Sequence, residues 1–176
     1  MVKLRSLAPG DVDAVHALIS RMDVVRHMRF SLCSREESEK FLRDSLLESP
    51  SDPWRSIVRA ISDSPRSDLI GLCGVVILRG AEEGEIWYLV EPESWSKGIA
   101  SQAAEHLLDF GFGELGLHRI WATCLPENPA SARVLEKVGM RKEGFLVKNL
   151  KIHGEWKSSF LYAMLAEEWS RTSHRK

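Results

Sequence analysis

The ten residues Leu69-Ile-Gly-Leu-Cys-Gly-Val-Val-Ile-Leu78 carry no charge and no polar side chain beyond one thiol. The run is too short to cross a membrane, which takes roughly 18 apolar residues or more. With turn-forming residues on either side, it predicts a central β-strand buried on both faces. Such a strand needs a covering layer on each side, which constrains the chain to a layered α/β arrangement.

The flanking sequence supplies those layers. Residues 2–7 alternate as an edge strand, Ala8-Pro9-Gly10 turns, and Asp11 is placed to cap a helix whose Val12, Val15, Leu18 and Ile19 share a face. Residues 21–33 predict a short second helix and a loop. Ser34-Arg-Glu-Glu37 reads as a capping box opening a helix with Phe41, Leu42, Leu46 and Leu47 inward, ended by Ser49-Pro-Ser-Asp-Pro53. Strands are predicted from Trp54 to Ile61, Leu69 to Leu78, Glu85 to Val90 and His118 to Leu125, with turns at Ser62–Asp68 and Gly80–Gly84. Helices are predicted from about Gly98 to Glu114 and from Asn128 to Val138. A terminal hairpin follows from Met140 to near Leu165. A central meander with later β-α-β units points to one layered domain.

At 176 residues, 44% hydrophobic and 28% charged, the chain can bury one sizeable core and is not of disordered composition. A formal net charge of −1 offers no positive field for nucleic acid. The basic cluster Arg171, His174, Arg175 and Lys176 reads as a solvated tail. Cys33, Cys73 and Cys124 lack disulfide or CxxC spacing, and Met-Val-Lys-Leu-Arg-Ser-Leu lacks a signal-peptide run, so a cytoplasmic setting is expected. The scattered histidines show no metal-ligand spacing, and no metal is expected.

Two stretches carry chemistry. In the strand–loop–helix junction at residues 85–114, Gly98 and Ala100 leave room for a ligand where a helix begins. The first N–H groups of a helix lack intrahelical acceptors and sit at its positive pole, so they suit a diphosphate, with Lys97 adding charge. The segment is also compatible with an ordinary connection. It is neither a P-loop, since lysine precedes glycine, nor a GxGxxG fingerprint, since only Gly98 is present. The second stretch is Asn128-Pro129-Ala130-Ser131, followed by Leu135 and Gly139. Asn128 suits an N-cap, Pro129 the first helical position and Gly139 the C-terminal cap. The Ser131 hydroxyl either faces a ligand between diverging strands or bonds the helix backbone.

Together these segments resemble the GNAT acetyltransferases, in particular the branch containing the ribosomal-protein N-terminal acetyltransferases. The family's Arg/Gln-x-x-Gly-x-Gly/Ala loop cradles the CoA pyrophosphate. It corresponds to Trp95-Ser96-Lys97-Gly98-Ile99-Ala100, with tryptophan replacing the usual first residue. The family's Asn-x-x-Ser…Leu-x-x-x-Gly-Phe corresponds to Asn128-Pro-Ala-Ser131, Leu135 and Gly139-Met140. The ending, Phe160 to Trp169, is similar to the final strand of that branch. The resemblance covers about residues 2–169, giving a domain of residues 1–169 and a polar tail of 170–176. It implies an α/β GNAT fold with a mixed central sheet of about seven strands flanked by helices, and a splayed strand pair at the CoA site.

The resemblance also implies acetyl-CoA as co-substrate and direct attack of an amine on the thioester. Residues Trp95 to Ser101, with Asn128, Ser131 and Lys137, would contact the cofactor. Asn128 would meet the pantetheine arm, and Lys137 would either reach the 3′-phosphate or be a solvated helix lysine. A backbone N–H at Leu89 or Val90 would meet the carbonyl oxygen, and Ser131 would serve the thiol side. Glu85 stands where relatives carry a base, and would act as one or merely orient substrate. Cys124 sits in an apolar strand with no activating neighbour and reads as packing rather than a nucleophile. The hairpin at 148–153 lacks a carboxylate, which leaves His153 as an alternative base or a substrate contact.

The acceptor is expected between residues 21–33 and the hairpin. Phe30, Trp87, Tyr88 and Trp156 offer an aromatic wall or core packing, and Arg26, His27 and Arg29 make the region basic. The reading is an acetyl-CoA-dependent N-acetyltransferase, foremost for a protein or peptide α-amine. A small amine (amino acid, aminoglycoside or polyamine) and a CoA-binding module without turnover are the alternatives. Neither a nucleic acid nor a membrane partner is expected, and an exposed hairpin edge would permit a homodimer.

Overall fold

The computed structural model describes residues 2–30, 33–47, 54–62, 69–78, 80 and 82–173. The expected break at 49–53, the turn after Ser62 and the basic residues 174–176 lie outside them. One seven-stranded sheet contains β1 (Lys3–Ser6), β2 (Trp54–Ser62), β3 (Gly71–Leu78), β4 (Glu83–Val90), β5 (Arg119–Cys124), β6 (Arg141–Ile152) and β7 (Glu155–Leu165). Helices α1 (Val12–Ile19), α2 (Met22–Val25) and α3 (Arg35–Leu46) join β1 to β2. Helix α4 (Ile99–Asp109) joins β4 to β5, α5 (Pro129–Lys137) joins β5 to β6, and α6 (Ala166–Ser173) follows β7. The spatial order is β1-β2-β3-β4-β5-β7-β6, and only the β4–β5 pair is parallel. This is the mixed, helix-flanked sheet expected from the sequence.

The run that constrained the reading is β3, and it is buried on both faces. Leu72 packs with Val15, Ile19 and Leu42 of α1 and α3. Cys73 and Val75 pack on the opposite side with Ala103, Leu107 and Leu135 of α4 and α5. Period-two alternation therefore divides the core into two layers, one per face. The capping box forms: Ser34 Oγ accepts from the Glu37 N–H at 3.2 Å, and Glu37 accepts from the Ser34 N–H at 2.7 Å.

Several local expectations give way to tertiary contacts. Asp11 does not cap α1 with its side chain, because its carboxylate takes the Arg5 guanidinium and the Ala8 N–H at 2.8 Å each. Leu46 and Leu47 are exposed rather than inward, since α3 ends at Leu46. The predicted helix to Glu114 changes at Phe110 into a π turn, closed by Leu115 N–H on the Phe110 carbonyl. The similarity to a final strand holds only to Leu165. There Glu168 accepts the Leu165 N–H at 2.8 Å and starts α6, whose Trp169 indole reaches Asp109 at 2.9 Å.

Candidate active site

Strands β4 and β5 pair at only three positions, Glu83–Arg119, Gly84–Ile120 and Glu85–Trp121. Beyond them β4 stays with β3 through Val90, and β5 stays with β7 through Cys124. The two strands therefore part. A cavity of about 700 Å³ fills the gap and is lined from both faces of the sheet. Along β4, Trp87 and Leu89 pack toward α1–α3, whereas Ile86, Tyr88 and Val90 pack toward α4–α5. Alternation places Glu85 on the first of these faces.

The register also assigns the backbone groups. The Glu91 N–H donates to the Ile70 carbonyl at 2.9 Å. Counting back along an antiparallel pair, Leu89, Trp87 and Glu85 give their backbone groups to β3, whereas Val90, Tyr88 and Ile86 turn theirs to the parting. The expected donor at Leu89 or Val90 thus narrows to Val90, because the Leu89 N–H faces the wrong strand. The Val90 carbonyl accepts the Trp95 indole N–H at 2.7 Å, which clips the following loop to the strand end.

That loop bends through two left-handed residues, Ser96 (φ 61°) and Gly98 (φ 77°). Helix α4 then starts without a side-chain cap, and its first bond runs from the Gln102 N–H to the Gly98 carbonyl. The N–H groups of Ile99, Ala100 and Ser101 accordingly have no intrahelical acceptor. A Cβ on Gly98 would find no atom closer than 4.0 Å, so the glycine serves the backbone angle while leaving the approach open. Convergent N–H donors at a helix N-terminus fit a diphosphate. Trp95, Ser96, Ile99, Ala100 and Ser101 line the cavity, while Lys97 and Gly98 sit in the turn behind it. Asn128, Ser131 and Lys137 line it from α5. The Asn128 side chain accepts the Ser131 N–H at 3.2 Å, so it caps the helix and borders the cavity at once.

Titratable groups meet at the parting. The Glu85 side chain is 15% exposed and accepts from Arg29 Nη2 at 2.6 Å and, more weakly, from Thr123 Oγ1 at 3.5 Å. Burial holds its pKa above the ordinary carboxylate value, although Arg29 and Thr123 pull it down. On the other face, Tyr88 Oη lies 3.0 Å from Ser131 Oγ and donates to the Ser131 carbonyl at 3.3 Å. Burial pushes the Tyr88 phenol well above its ordinary pKa, so it stays a neutral donor. Burial also pushes the Cys124 thiol up to about 11, which agrees with packing and leaves little thiolate at neutral pH.

Toward α1–α3 the cavity is lined by Phe30, Trp87, Arg26, His27 and Arg29. Trp87 fits because Gly74 on β3 lacks a Cβ, which would lie 3.0 Å from two indole carbons. Asp23 also lines this side but is held by Arg21 at 3.0 Å. His153 is not brought in. The β6–β7 turn holds it left-handed (φ 48°), with Nε2 3.3 Å from the Val25 carbonyl, where it ties the hairpin to α2. Trp156 is 60% exposed and outside the cavity. The partners Arg29, Thr123 and Tyr88 were not legible as such, because nothing local marks them. Among the described residues no group of metal-binding side chains is present.

Residues 2–141 match the acetyltransferase (GNAT) domain family. The uncharacterized N-acetyltransferase YnaD of Bacillus subtilis (strain 168) is 34% identical over 167 residues, 95% of each chain. A crystal structure of a GNAT-family acetyltransferase from Bacillus anthracis superposes with a TM-score of 0.82 at 32% identity, covering 95% of this chain and 96% of that one. The spermidine N(1)-acetyltransferase of Escherichia coli (strain K12) is 27% identical over 170 residues, 96% of this chain and 88% of its own.

Proposed function

The chain belongs to the GNAT acetyltransferase family and is an N-acetyltransferase, and from that premise we propose that it transfers the acetyl group of acetyl-CoA to a primary amine at the parting of β4 and β5. The observation that carries this reading is the placement of Glu85 on one face of the parting and the Ser131–Tyr88 pair on the other. Bound acetyl-CoA supplies a thioester carbonyl open to attack by an amine. The N–H groups of Ile99, Ala100 and Ser101 hold the diphosphate, and Asn128 borders the arm. The Val90 N–H donates to the acyl oxygen as it gains charge. Glu85 takes the proton that the attacking nitrogen must lose. As the new C–N bond forms and the C–S bond breaks, the Ser131 hydroxyl donates to the departing sulfur.

A protein or peptide α-amine is the foremost acceptor, as the likeness to the ribosomal-protein branch suggests. A small amine is the second reading, favoured by the spermidine-acetylating relative. The arginines of the acceptor side speak against a polycation within that second class. A cytoplasmic setting accompanies either reading. None of the three cysteines forms a disulfide among the described residues, and no helix there is long and apolar enough to cross a membrane.

The test is a screen with acetyl-CoA, detecting released thiol, against peptides with free N-termini, amino acids, aminoglycosides and spermidine. Amine-dependent release is the expected result. Binding of acetyl-CoA with no release across the panel would return a module without turnover. Glu85→Gln should retain acetyl-CoA binding yet lose turnover at neutral pH by about tenfold or more. Because Glu85 must be unprotonated and burial raises its pKa, wild-type kcat/KM should fall on the acid side around a midpoint above the ordinary carboxylate value. That limb should vanish in the glutamine variant, and unchanged turnover would remove Glu85 as the base.

A further inference from the structure

We propose that Arg29 and Arg26 form a carboxylate subsite beside Glu85, so that the preferred acceptor carries a carboxylate a few atoms from its amine. This rests on the reading of Glu85 as the base. In the structure Arg29 already holds the Glu85 oxygen at 2.6 Å. An incoming ammonium has to reach the same carboxylate to give up its proton. The two partners differ in exposure: the Glu85 side chain is 15% exposed and that of Arg29 is 52%. Arg29, the more solvated member, is the one that can swing its charged head into water while Glu85 stays fixed on β4.

Once displaced, Arg29 remains in a cavity wall that also contains Arg26. Asp23, on the same wall, turns to Arg21 at 3.0 Å and forms no ion pair with Arg26 or Arg29. Among the described residues Arg26 is in no ion pair. A carboxylate on the acceptor resolves the imbalance. The ammonium replaces Arg29 on Glu85, the acceptor's carboxylate replaces Glu85 on Arg29, and one ion pair becomes two. The planar guanidinium suits that group because it can bind a carboxylate through two parallel N–H donors. A polyamine brings only positive charge and meets two guanidinium groups uncompensated. The chemistry is an amine with a nearby carboxylate, whether a free amino acid or the N-terminus of a peptide with an acidic first or second residue.

The experiment compares matched acceptors on the full-length protein: glutamate against its α-amide and glutamine, and a tripeptide beginning Glu against the same tripeptide beginning Gln. Spermidine is the polycation. We expect the acidic member of a pair to exceed the neutral one in kcat/KM by about tenfold, chiefly through KM. Whichever pair shows the gap identifies free amino acid or peptide as the source. Arg29→Ala should abolish the gap, making the acidic and neutral members of each pair equal in kcat/KM. Arg26→Ala, on the exposed rim, should narrow it if the first variant fails to fold. Equal kcat/KM within every pair, a preference for spermidine, or an unchanged gap in Arg29→Ala would overturn the proposal. Failure of the underlying reaction looks different, as no amine releases thiol. The subsite is then decided by calorimetry of the N-acetylated pairs with CoA present, where equal affinities overturn it.

Discussion

Tyr88 and Ser131 share two hydrogens between three acceptor positions: the tyrosine oxygen, the serine oxygen and the Ser131 carbonyl. When Tyr88 donates to the carbonyl, the serine hydrogen turns back to the tyrosine. When Tyr88 donates to Ser131 Oγ, the serine hydrogen is released toward the parting. Tyr88 is thus placed to position the group proposed to meet the sulfur. Tyr88→Phe removes the hydroxyl that meets both Ser131 oxygens, a loss of about 0.5–1.5 kcal/mol in stability. It should lower kcat by roughly tenfold while acetyl-CoA affinity stays within about twofold, and its effect should not add to that of Ser131→Ala. Full additivity, or an unaltered kcat, would make the contact structural only. Ser131 was legible in the sequence because its cap, its proline and its helix are neighbours. Its partner was not, since 43 positions separate the two and only the divergence of β4 from β5 brings them together. Arg29 was legible as basic charge, but not as the partner of a carboxylate 56 positions away. His153 shows the opposite failure. Its side-chain chemistry suits a base, yet a left-handed turn points it at Val25.

At the scale of elements, the N-terminus of α4 differs from that of α3. Helix α3 satisfies its first donors with Ser34 and Glu37, whereas α4 has no side-chain cap. Both were readable, because a helix start is decided within four or five residues. Helix α6 was not, since its start depends on Glu168 folding back to Leu165 and on Asp109 of another helix. The exposed α4 donors lead to a paired prediction for Gly98. Gly98→Asp adds a negative charge at the N-terminus of α4, close to the proposed diphosphate, and should weaken acetyl-CoA binding by about tenfold or more, read by calorimetry. Gly98→Ala isolates the backbone strain of a left-handed residue, about 1–2 kcal/mol, without adding charge. Equal losses in the two variants would mean that strain, not anion binding, governs the loop.

Across the whole molecule, the sheet is closed at one end of the β4–β5 pair and open at the other. The closed end carries a charge network. Arg119 of β5 reaches Glu143 of β6 at 2.6 Å and Glu83 of β4 at 3.6 Å, while Arg141 joins Glu143 at 2.7 Å and also pairs with Glu168. The two arginines hold the Glu143 pKa down at about 2, below its ordinary 4.5. A lowered carboxylate pKa stabilises the fold above the ordinary value, and the contribution is lost as pH falls through the lowered one. The urea midpoint should therefore decline between about pH 5 and about pH 2, and the decline should be shallower in Glu143→Gln. An identical decline in both proteins would assign it to other groups. The layered class and the β2–β3–β4 meander were legible from sequence, because those strands are consecutive and β3 is apolar throughout. The insertion of β7 between β5 and β6 was not, as the hydrophobic pattern of a hairpin does not say which of its strands faces the sheet. The parting itself has a consequence for how such a protein changes over generations. Most of one wall of the cavity comes from the chain before β2, with Glu85 and Trp87 added by β4, and the other mostly from the chain after β4, so recombination between α3 and β2 would alter the proposed acceptor side while the descendants inherit the proposed cofactor side intact.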